Sequence, residues 1–118
     1  MDAPRDGERI IVLQRRCLRM YLNGKKLMEI RDVPLRRSAY LLGCDGLVYA
    51  RVRVTEHIQI KTRTTWRRLH VFHRMITFAP LYGEHTWGTM FQIVEIADTP
   101  FPYVHLRGAT CIVVYRRP

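Results

Sequence analysis

The chain has 118 residues, a length that fits one domain with its own core. Apolar residues make up 47% of it, which excludes a disordered polymer, and no apolar run approaches the ~20 residues of a membrane helix. The net charge is +10 and the pI about 10.3, with seventeen arginines and three lysines against ten acids, so a polyanion is the expected partner.

Residues 1–9 carry charges, Pro4 and Gly7 but no hydrophobic signal core, and read as a flexible leader before a domain over 10–118. The expected setting is intracellular, cytoplasmic or nuclear. Ile10-Ile11-Val12-Leu13 is a short β-run. A helix over 15–23 follows, with Leu18, Tyr21 and Leu22 on one face and Asn23-Gly24 as its left-handed stop. Lys25 and Lys26 suit the negative end of that helix. The next strand, about 27–31, sends Glu29 and Arg31 from one face because they are two apart. An amine, a carboxylate and a guanidinium are thereby held around one concavity.

A strand at 39–43 and a long one at 47–60 are joined by Asp45-Gly46, a hairpin turn pair. In the long strand the even positions Ala50, Val52, Val54, Ile58 and Ile60 are apolar and face a core. The odd positions Tyr49, Arg51, Arg53, Thr55, His57, Gln59, Lys61 and Arg63 form a basic ladder suited to tracking phosphates. Glu56 breaks the parity; a bulge near Thr55 turns it to solvent, or it pairs with Lys26 or Arg31. Thr64-Thr65 cap a helix over 65–74, on which Trp66 packs inward. Residues 75–87 are irregular, and Trp87 stands in a Gly83–Gly88 loop where it can stack on a base. Strands at 89–96 and 110–116 close the chain, so the fold is α+β, a small mixed barrel of five or six strands with two short helices.

Three distant cysteines and His70-x-x-His73 without an acidic or thiol neighbour give no metal site, and no cofactor motif occurs. Lys26, Glu29 and Arg31 admit two roles. In a binding site the cations contact phosphate or a base carbonyl and Glu29 accepts from a base amino group. In an enzyme Lys26 is a desolvated base or nucleophile assisted by Glu29. A bracing salt bridge of Glu29 is the purely structural alternative.

The pattern Gly24-x-Lys26-x-x-Glu29-x-Arg31 after a short amphipathic helix resembles the ASCH family, whose fold is a PUA-like β-barrel. Tyr40–Gly43 followed by Leu47–Val54, and Arg107-Gly108-Ala109 leading into Thr110–Tyr115, resemble its later strands, so the likeness spans about 10–116. It implies a cleft that binds RNA or a modified nucleoside. Some small bacterial members deacylate N4-acetylcytidine with the motif lysine, a threonine and a downstream glutamate. Here Glu29 stands at the threonine position and the 65–74 helix has no carboxylate, leaving Glu56 or Glu84 as substitutes. The expected function is therefore RNA or single-stranded nucleic-acid binding through Lys25, Lys26, Glu29, Arg31, Tyr49, Arg51, Arg53 and Trp87. The alternatives are an amidohydrolase acting through Lys26 and Glu29, and a basic surface for an acidic protein.

Overall fold

The computed structural model describes residues 1–105 and 112–118. Its strands are β1 (Arg9–Val12), β2 (Met28–Arg31), β3 (Ala39–Cys44), β4 (Leu47–Ile60), β5 (Thr86–Pro102) and β6 (Ile112–Val114). Its helices are α1 (Arg15–Leu22), α2 (Arg63–Arg68) and α3 (His70–His73), with a 3-10 turn at Gly83–His85. One six-stranded sheet runs β2-β5-β4-β3-β1-β6, with β1 and β3 parallel and the other pairs antiparallel. The result is a small α+β domain on a mixed half-barrel. Among the described residues β2 and β6 are the edge strands of this sheet, where a closed or nearly closed barrel was expected. Among the described residues no helix is long and apolar enough to cross a membrane.

Local chemistry sets the corners. Gly24 takes φ +78°, and the backbone N–H of Lys26 returns to Met20 O at 3.0 Å, which frees the chain to enter β2. Asp45 and Gly46, at φ 51° and 77°, make the tight β3–β4 turn that their dipeptide predicts. The second helix starts earlier than expected, because Thr62 rather than Thr64 or Thr65 caps it, accepting the Thr65 N–H at 3.1 Å. It also breaks at Leu69, giving α2 and α3 where one helix was expected. The first eight residues are no free leader. Gly7 N–H donates to Tyr115 O, Tyr115 N–H donates to Glu8 O, and Met1 packs against a core cluster.

A bulge between Val54 and Glu56 governs the rest. Val54 pairs with Phe91, Glu56 with Met90 and His57 with Thr89, so one residue of β4 has no opposite number. Glu56 is exposed, as the bulge reading anticipated. The same bulge reverses the parity downstream. His57 and Gln59 now share the α1 face with Val52 and Val54, while Ile58 and Ile60 move to the other face. On the α1 face Leu18, Tyr21, Leu42, Val52, Val54 and Phe91 form one core. On the opposite face Met28, Ile30, Ile60 and Trp66 form a second under α2 and α3. Ile10, Leu41, Val48, Tyr103 and Tyr115 form a third beside the termini.

Candidate functional site on the α1 face

Glu29 and Arg31 leave β2 toward α1, as their spacing predicts. Tyr21 Oη donates to Glu29 Oε1 at 2.9 Å, and Arg31 Nη2 donates to Glu29 Oε2 at 3.2 Å. The side chains of Arg31 and Glu29 are only 14% and 13% exposed, so this ion pair is largely desolvated. Burial first, and then the Glu29 carboxylate, push the Tyr21 hydroxyl well above its ordinary pKa and keep it a donor. Across the sheet the register sets Glu29 beside Thr89 and Thr89 beside His57; the next row is Arg31, Trp87 and Gln59. His57 Nε2–H donates to Leu35 O, which holds the 32–38 loop over this end of the sheet.

Two polar atoms of this cluster have no hydrogen-bond partner among the described residues: Arg31 Nε and Thr89 Oγ1, both buried. Unsatisfied buried groups are rare in folded proteins and call for a physical reason. Here they lie on diagonal neighbours of one sheet face, at the rim occupied by half-buried Trp87. Among the described residues one guanidinium N–H and one hydroxyl, which can both donate and accept, thus stay uncommitted beside the indole, and both atoms are closed to solvent until neighbouring side chains part. That set fits a planar polar ligand with carbonyl or phosphate oxygens.

Lys26 does not stand open in a concavity with Glu29 and Arg31 as expected. It is 1% exposed, its ammonium donates to His73 O at the end of α3, and it lies 5.5 Å from the Tyr21 ring centroid. Burial lowers its pKa, and the Glu29 charge opposes that shift. The exposed carbonyls that end a helix attract a cation, and this one draws the lysine inward. Gly24, Lys26, Tyr21 and Phe91 line a cleft of about 470 Å³ beside the end of α1, whereas Glu29 and Arg31 are not part of its wall. The motif thus divides around Tyr21: Lys26 over the ring, the ion pair at the hydroxyl.

His73 is held by two backbone groups. Its Nε2–H donates to Trp66 O and its Nδ1 accepts the Met75 N–H, both at 2.9 Å, and its ring stacks on Trp66 at 3.9 Å. The neutral tautomer is required by that pairing. Burial lowers the pKa of His73, with the charge of Lys26 helping. The unfolded chain therefore takes up more protons as pH falls, and stability present above about pH 6.5 is lost below it. A proton NMR titration of the His73 ring should show a midpoint below about 6.5; a midpoint at or above that value contradicts the assignment.

The other expected contacts disperse. Trp87 belongs to β5 rather than to a loop, because Gly88 continues the strand and leaves room for the Met28 side chain. Arg51 does not track phosphate as free charge: Nη1 donates to Glu95 at 2.8 Å and Nη2 donates to Glu8 at 3.1 Å. Arg53 is exposed, and the bulge separates it from His57 and Gln59, so the ladder is not continuous. Tyr49 packs half-buried near the start of β4, far along the strand from His57. Lys25 is exposed, and its carbonyl accepts from Arg74. Arg107 through Cys111 lie outside the described residues. Tyr21 and Thr89 were not expected at a site, and His57 and Gln59 were expected only as members of the basic ladder; a tyrosine on an apolar helix face was the one visible signal for Tyr21. No protein-family model matches the chain, and no curated protein matches it.

Proposed function

We propose that this chain is a nucleic-acid-binding module of the PUA-like, ASCH type that holds one nucleotide, preferably of RNA, against Arg31, Thr89 and Trp87. One observation carries the reading. A desolvated ion pair has two unused polar atoms beside a half-buried indole, on a protein of net charge +10. Arg31 Nε donates to a base or phosphate oxygen, Thr89 adapts as donor or acceptor, and Trp87 stacks on the base. Glu29 is already bound at both oxygens, so its part is to orient Arg31 and Tyr21. The half-barrel and the Gly24, Lys26, Glu29, Arg31 motif support the family likeness.

The hydrolase alternative is the weaker fit, because the Lys26 amine is spent on His73 O and offers no free base there. Protein purified without nuclease should carry nucleic acid that RNase removes, read from the absorbance ratio. Incubated with N4-acetylcytidine, it should release no cytidine; Lys26-dependent release would replace the binding reading with the hydrolase.

A further inference from the structure

The segment from Lys61 to Tyr82 is unlike the rest of the surface. Lys61, Arg63, Arg67, Arg68 and Arg74 fall within it, and no acid occurs between Glu56 and Glu84. Five large apolar side chains stand exposed from Val71 onward: Val71, Ile76, Phe78, Leu81 and Tyr82, with Ile76 83% and Phe78 70% accessible. Clustered exposed apolar surface of this kind marks an interaction site.

The aromatic residues are prearranged. The Arg63 guanidinium lies 4.9 Å from the Phe78 ring centroid, covering one face and leaving the ring widely accessible. Trp66 Nε1 donates to Thr77 O at 2.9 Å, which fixes the backbone beside Phe78. Tyr82 backbone N–H donates to Thr86 Oγ1 at 2.9 Å, which ties the backbone bearing the second ring to the start of β5. The next residue, Trp87, belongs to the proposed nucleotide site, and Gln59 in the same row donates to Glu84 O. The surface lies on the α2 side of the sheet and meets the Arg31–Trp87 row round the sheet end, where Gln59 holds the Gly83–His85 turn. Cations with no interspersed acid and two exposed aromatic rings along that way round describe a path for an extended polyanion bearing flat bases.

We infer that the Arg63–Tyr82 surface binds the nucleotides flanking the one held at Arg31 and Thr89. Phe78 and Tyr82 stack on bases, and Arg63 and Arg67 neutralise phosphates. The inference rests on the binding reading above, and single-stranded RNA is its occupant.

The test uses the full chain, a fluorescein-labelled twelve-nucleotide oligouridylate and uridine monophosphate. Phe78→Ala with Tyr82→Ala should weaken the oligonucleotide roughly tenfold or more and leave the mononucleotide unchanged. Arg63→Ala with Arg67→Ala should lower the salt slope by about 1.4, at ~0.7 per phosphate contact. Arg31→Met should weaken both ligands. If both surface pairs bind the oligonucleotide like the unaltered protein while Arg31→Met does not, the surface inference falls and the site stands. If the unaltered protein binds neither uridine ligand, the surface inference falls; the site falls with it when cytidine, adenosine and guanosine monophosphate do not bind either. Binding of phosphatidylserine vesicles that Ile76→Ser abolishes, with oligonucleotide affinity untouched, would assign the surface to a membrane and overturn the inference.

Discussion

Replacing Lys26 by alanine is expected to cost about 2–5 kcal/mol of unfolding free energy, the range for emptying a buried long side chain. The side chain is buried, with its ammonium over the Tyr21 ring and bonded to His73 O at the end of α3. Alanine leaves a cavity and an orphaned carbonyl together. Lys26→Met keeps most of the volume and removes the charge, so its cost should fall to about 1–3 kcal/mol, that of the unpaired carbonyl. Urea denaturation of the two variants separates the contributions. A loss below about 1 kcal/mol for alanine would contradict the packing described, since even a modest core truncation exceeds it. The sequence set Lys26 with Glu29 and Arg31 around one concavity, a place open to a ligand; its near-complete burial reverses that expectation.

The second large effect is at Trp66. Its indole is buried among Met28, Ile30 and Ile60, stacks on His73 and donates to Thr77 O. Trp66→Ala should cost about 3–5 kcal/mol, a large part of the stability of a domain this size. Trp66→Phe retains most of the apolar contact but frees Thr77 O, at about 1–3 kcal/mol. It should also loosen the 76–78 backbone, seen as faster amide exchange there. Exchange unchanged in the phenylalanine variant would mean that the indole bond does not hold that segment.

The sequence made the corners and the pair at β2 legible, because both depend on neighbours in the chain. Asn23-Gly24 and Asp45-Gly46 dictate left-handed backbone, and a spacing of two fixes the common face of Glu29 and Arg31. What failed depends on distant partners. Parity along β4 held to Val54 and reversed after it, and no residue type marks the bulge. Gly88 looked like a loop signal, yet it serves the strand because the Met28 sulfur lies over it. Thr89 has no composition signal at all; only its place between Glu29 and His57 makes its hydroxyl notable. Lys26 was attracted to the end of a helix 47 positions away. Thr62, Thr64 and Thr65 are equivalent as caps on sequence alone, and the point where β4 ends selects the first.

The central claim is that Arg31, Thr89 and Trp87, braced by Tyr21 and Glu29, hold one nucleotide. Adding uridine, cytidine, adenosine or guanosine monophosphate to nitrogen-15-labelled protein tests it most directly. With at least one of the four, the largest amide shifts should fall at Arg31, Trp87 and Thr89 and disappear in Arg31→Met. Shifts absent with all four, or confined to Arg51, Arg53 and their neighbours and retained in Arg31→Met, would contradict the account.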